Sequence, residues 1–142
     1  MKLPLTLQIV VAAAIVLLVL LILEPLLYRE RTISNDSAAV TNLRTINTAE
    51  ATYQSSSGGS YGAIADLIAA RLMFDTFTGT VSGYNYSVTL DATGSRYTAE
   101  ATPASTKTGR YGYYSAPDAV IRYSTNALLA PAGQSGSSVT IR

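Results

Sequence analysis

Between Ile9 and Leu23 the chain runs for fifteen residues without a polar side chain, and from Leu3 to Leu23 the only clearly polar residues are Thr6 and Gln8. These twenty-one residues, at about 1.5 Å of helical rise each, reach roughly 31 Å, the thickness of a bilayer's hydrocarbon core. A helix apolar on every side has two natural surroundings, lipid or other apolar helices. A cleaved secretory signal has a shorter apolar core ending at small residues, whereas Glu24-Pro25-Leu26 follow here, so the segment is expected to stay attached.

The remainder of the 142 residues suffices for one small globular domain. It is polar and rich in Ser, Thr and Tyr. The ten basic and nine acidic residues are scattered and nearly cancel. With no Lys/Arg cluster to displace counterions along a phosphate backbone, nucleic acid is not an expected partner. Cysteine and histidine are absent, which removes disulfides, thiolate ligands and imidazole bases.

A search for catalysis finds abundant serine but no base to activate it. The lysines are Lys2 and Lys107, and Ser57-Gly58-Gly59-Ser60 lacks the phosphate-loop pattern. Asp66 with Asp75, or Asp91 with Glu100, suits solvated surface or turn roles better than a carboxylate pair. The chain is read as a non-enzyme with no cofactor and no metal.

Periodicity divides the chain into three parts: an apolar membrane or filament-core helix over 1–27, its amphipathic continuation over 28–55, and a small αβ domain over 56–142. Pro25 removes one backbone donor and crowds the preceding turn, which predicts a kink or local melting around it. Beyond it Ala39, Leu43, Ile46 and Tyr53 recur at helical spacing, with Asn42, Arg44, Asn47 and Thr48 assigned largely to other faces. Ser55-Ser56-Ser57-Gly58-Gly59-Ser60 predicts the end of the helix.

A short helix is predicted over 63–72 on the stripe Ile64, Leu67, Ile68 and Leu72. The period then changes to two. Tyr84, Tyr86, Val88 and Leu90 alternate with polar residues, as do Tyr97, Ala99 and Ala101, and Asp91 to Ser95 makes the turn of a hairpin. Further strands are predicted at Ala119–Ser124 and, weakly formed, at Val139–Arg142. The fold class is α+β: one long helix on a small antiparallel sheet, with Ala39, Leu43, Ile46 and Tyr53 packing on the sheet face of Tyr84, Tyr86, Val88 and Leu90.

Three stretches carry a resemblance to a known family: Pro25-Leu26-Leu27-Tyr28-Arg29-Glu30-Arg31 after the apolar run, Ser37 to Glu50 with its most specific part at Leu43-Arg44-Thr45-Ile46-Asn47-Thr48-Ala49-Glu50, and Asp118-Ala119-Val120-Ile121-Arg122-Tyr123. Together with the helix-on-sheet layout they make the chain similar to the type IV pilin and type II secretion pseudopilin superfamily.

The resemblance implies a subunit that waits in the inner membrane with its N-terminus cytoplasmic, is extracted by an assembly machinery, and polymerises with copies of itself into a pilus or secretion filament. Pro4, Gln8, Ile9, Val16, Leu20, Glu24 and Pro25 would then belong to the filament core. The alternative is a single-span, membrane-anchored binding or sensing module that never polymerises. The uninterrupted amphipathic stretch through Tyr53 argues against it, since a tether has no reason to keep an apolar stripe.

Aligned on Pro25, the chain has Leu3 in place of the family's cleavage-site Gly, Pro4 where the mature chain begins with a methylated residue such as Phe, and Gln8 in place of the fifth-position Glu. Cleavage and methylation of the usual kind are therefore not expected. A neutral amide at Gln8 is the cheaper residue where no new ammonium lies close by to pair with a carboxylate. Asn35-Asp36-Ser37 and Asn85-Tyr86-Ser87 match the glycosylation pattern, two matches where chance among the asparagines provides about one, so they are weak candidate acceptors. The tyrosines at 111, 113 and 114 are read first as sheet and loop packing, and otherwise as a binding face or a stacking array.

Overall fold

The computed structural model describes residues 4–126 and 136–139. Leu3 and positions 140–142 of the expected terminal strand lie outside these residues. One helix, α1, runs from Leu5 to Ser56. Its start is marked by Pro4, whose carbonyl accepts from Leu7 N at 3.0 Å and Gln8 N at 3.2 Å. A second helix, α2 (Ile64–Ala69), and a 3-10 turn over Asp75–Thr78 follow. The strands are β1 (Thr80–Val81), β2 (Tyr84–Leu90), β3 (Tyr97–Pro103), β4 (Gly112–Ser115), β5 (Arg122–Ser124) and β6 (Ser137–Ser138). All pair antiparallel in chain order, so the described sheet is a meander. The architecture is α+β, a long helix with a small antiparallel sheet.

The chain forms two compact units, one up to Arg31 and one from Thr32 onward. The second half of α1 thus belongs with the sheet. Within the first unit Pro25 lies inside unbroken helix, so the expected local melting does not occur. The missing donor costs a single bond to the turn before, and the bonds on either side hold the geometry.

Each hairpin has a local cause. Ser82 and Gly83, with φ of 49° and 74°, make the two-residue turn joining β1 to β2, and positive φ at both centres matches the twist of the strands. Between β2 and β3 the carboxylate of Asp91 accepts from Ser95 N (2.8 Å) and Arg96 N (3.2 Å) and from the hydroxyls of Thr93 and Ser95. That sets Leu90 opposite Tyr97. Asp66 caps α2 by accepting from Ala63 N at 2.9 Å. Both carboxylates serve local turn or cap roles.

Three differences from the periodicity reading have physical reasons. The helix predicted to Leu72 ends at Ala69 because Arg71 turns left-handed, at φ 60°. The strand predicted from Ala119 begins only at Arg122, because Ala119, at φ 56°, closes a turn in which its N–H bonds Ala116 O. Strand β4 lacks alternation because all four of its residues are buried, so it carries no period-two signal.

Candidate functional site: two stretches of the long helix

The apolar stretch comes first. Pro4, Gln8, Ile9, Val16, Leu20, Glu24 and Pro25 are all exposed, as is every other described residue up to Arg31. Ile9, Ala13, Val16 and Leu20 follow one another at four, three and four residues, so they line one stripe, with Ala12 and Leu17 beside it. None of the membrane-length apolar window is buried within the chain. This one helix is long and apolar enough to cross a membrane.

From Thr32 the helix is buried on a stripe that is not purely apolar. Thr32, Asp36, Ala39, Leu43, Ile46 and Glu50 follow one another at three- and four-residue steps and are all buried. Ala39, Leu43 and Ile46, in the middle, share one core cluster with Tyr84, Tyr86, Tyr97, Ala99 and Ala101 of the sheet, and Tyr53, Val88 and Leu90 pack partly buried at its margin. Two acidic residues belong to the stripe, Asp36 near its first end, one turn after Thr32, and Glu50 at its last position.

At the first end Asp36 is saturated. Its Oδ1 accepts from the Tyr84 hydroxyl at 2.7 Å and from Arg110 N at 3.0 Å, and its Oδ2 pairs with Arg110 Nε at 2.6 Å. The hydrogen bond it donates to Asp36 raises the Arg110 guanidinium above its usual range. Desolvation, with the carboxylate adding to it, pushes the Tyr84 phenol well up. The backbone makes room for this: a Cβ on Gly109 would lie 2.2 Å from the Tyr84 hydroxyl oxygen, and one on Gly83 would lie 2.7 Å from Asn35 Nδ2.

At the other end Glu50 has no cation partner among the described residues. Its Oε2 accepts from Gly62 N at 3.0 Å, while Oε1 is buried without a partner. Burial, opposed by that hydrogen bond and helped by Asp66, pushes its pKa up to about 7. The two acids are thus accommodated in different ways, Asp36 by an ion pair and Glu50 by a hydrogen bond from Gly62 N and a carboxyl pKa that burial raises.

Between them, amides tie α1 to tyrosine hydroxyls. Asn42 Nδ2 donates to the Tyr86 hydroxyl at 2.9 Å, and Asn47 Oδ1 accepts from Tyr97 and Ser115 at 2.9 Å each. This corrects the sequence reading of Asn47, which lies in the interface, where two hydroxyl donors need one acceptor. Asn35, half-buried, donates through Nδ2 to Thr108 O at 2.8 Å, which engages the atom a glycan would occupy. Asn85 is exposed, its Oδ1 accepting from the Thr80 hydroxyl at 2.6 Å.

Sequence reasoning missed Asp36 and Glu50 as interface residues because it counted only apolar positions. Their signal was present: Asp36 lies three residues before Ala39 and Glu50 four after Ile46, in phase with the stripe. Tyr113, also buried, has its phenol pushed up chiefly by burial and next by Asp36. Among the described residues no cluster of three or more acidic side chains is placed to hold a metal ion. Comparison with protein-family models, with curated proteins and with solved structures finds no match to this chain.

Proposed function

We propose that this chain is a non-enzymatic structural subunit of a type IV pilus-like or pseudopilus filament, anchored in the inner membrane with its N-terminus cytoplasmic before it polymerises. The observation that carries the reading is the wholly exposed apolar surface from Ile9 to Leu23, on the same helix whose later part is fixed to a sheet. Such a surface needs lipid or identical helices around it, and helix packing against copies of itself satisfies both periods of its life.

Leaving lipid for an apolar filament core gains little by itself, since lipid tails are as apolar as leucine. Extraction therefore calls for an energy-driven assembly machinery as partner. Once water is the alternative, burial at roughly 25 cal/mol per Å2 holds the core tightly.

Electron microscopy of sheared surface material, with the chain identified by mass, tests the reading. Thin filaments built of this chain are expected. A chain that stays monomeric in the membrane fraction under every growth condition tested, with no filament or filament tip containing it, overturns the reading and favours the non-polymerising anchor.

A further inference from the structure

A cleft of about 360 Å3 opens where β2 and β3 approach their hairpin. Its volume lies at the lower end of the roughly 300–1,000 Å3 range of ligand pockets, the size for one ring rather than a chain. The cross-strand pair Thr89 and Thr98 lines it, with Tyr114, Arg96, Leu90 and Pro117 around them. Strand alternation puts Thr98 and Tyr114 out of phase with Tyr97, Ala99 and Tyr113, the residues of the core cluster.

Tyr114 is the telling residue. The residue is only 3% exposed, yet its hydroxyl oxygen is not sealed from solvent and no hydrogen bond among the described residues engages it. A phenol is protonated at neutral pH, so this hydroxyl stands at the wall of the cleft as an open donor. Arg96, exposed on the same cleft, has no ion pair; the two salt bridges among the described residues are Arg110–Asp36 and Arg122–Asp118. Asp91 also lines the cleft, but its oxygens are spent on four donors of the hairpin turn.

The unspent groups are therefore biased toward donors, while the lining charges, one Asp and one Arg, cancel. Glu100 stands opposite Tyr114 on the adjoining strand and discourages a second negative charge nearby. Pro117, exposed, supplies apolar surface to the walls.

We infer that this cleft is a binding site for a single neutral, hydroxyl-bearing ring, a monosaccharide unit, with Tyr114 and Arg96 donating to its oxygens and its apolar face against Pro117. The inference rests on the sheet alone and holds whether or not the chain polymerises.

The test is an amide-resolved NMR titration of the full chain in phosphocholine micelles, chosen because sugar-headed detergents would compete. The probes are glucose, galactose, N-acetylglucosamine and glucuronate. Saturable shifts confined to Thr89–Leu90, Arg96–Thr98 and Tyr114–Pro117 are expected with at least one neutral sugar. Tyr114→Phe, which keeps the ring and the packing, should weaken binding about fivefold, and Arg96→Gln by about tenfold. Absence of saturable shifts with all four sugars, or unchanged affinity in both variants, overturns the site. Binding of glucuronate alone overturns the neutral ring in favour of an anion.

Discussion

Residues 9–23 and residues 36–50 of α1 are equally long and equally helical, yet they meet their surroundings in opposite ways. The first stretch is apolar on every side and wholly exposed within the chain. The second mixes Ala39, Leu43 and Ile46 with Asp36, Asn47 and Glu50, and all six are buried. Hydrophobic character and burial within one chain are therefore separate properties. An apolar surface left uncovered implies a non-aqueous neighbour, whereas a polar residue becomes buried wherever the sheet offers it a partner.

The largest expected contrast comes from placing the same charge in both stretches. Leu43→Asp puts an unpaired carboxylate where exposure is nil and should cost more than about 4 kcal/mol, enough to unfold a small domain. Val16→Asp should leave the domain's thermal transition in place and abolish membrane insertion or assembly instead. Circular-dichroism melting with membrane fractionation reads both. A domain that melts normally with Asp at 43 breaks the comparison.

Asp36→Ala should cost about 1–2 kcal/mol, because it removes one acceptor of the Tyr84 hydroxyl, which keeps Tyr111 O at 2.9 Å, and the partner of Arg110 Nε, whose side chain is 45% exposed and can turn to water. Asp36→Asn should recover part of the loss by keeping an acceptor for Tyr84. The shift of the urea midpoint at constant slope measures both.

Glu50 gives a pH dependence whose direction is fixed. Its folded pKa of about 7 stands above the ordinary 4.5, so between those values the folded chain holds a proton that the unfolded chain has released. Stability should be fully present below pH 4.5, fall as pH rises, and level off above about 7, with a total loss of at most about 3 kcal/mol. Asp91 and Asp118 are held below the usual carboxylate range, so their effect lies at more acidic pH and has the opposite sign. Glu50→Gln should flatten the decline between pH 5 and 7 while keeping an acceptor for Gly62 N. Urea unfolding at half-unit pH steps shows whether it does.

The smallest effect on folding should follow Pro25→Ala. It adds one helical hydrogen bond in the first unit and should change the stability of the second by less than about 0.5 kcal/mol. If the chain assembles, filament yield should fall by more than folding does. A domain transition moved by several degrees would show that the two stretches are energetically joined at Pro25.

The hairpin of β2 and β3 was legible because Tyr84, Tyr86, Val88 and Leu90 alternate cleanly and Asp91 to Ser95 carries turn chemistry. Strand β4 was not, since burial of Gly112, Tyr113, Tyr114 and Ser115 on both faces erases alternation. Strand β1 was not, since two residues are too few to show a period. The apolar half of the interface was legible from spacing, while its acidic residues and Asn47 were not, because a polar residue at a core-facing position is meaningful only once its partner is known.

By itself the sequence determined the membrane-length apolar helix, the α+β class and the phase of the stripe that packs on the sheet, all of which follow from local periodicity and from the spacing of turn residues. Only the tertiary structure decided that Asp36 is met by Arg110, seventy-four residues away, that Asn47 serves two hydroxyls, and that Glu50 is left without a cation partner among the described residues. Pairing between distant side chains depends on strand order and register, which no local period encodes.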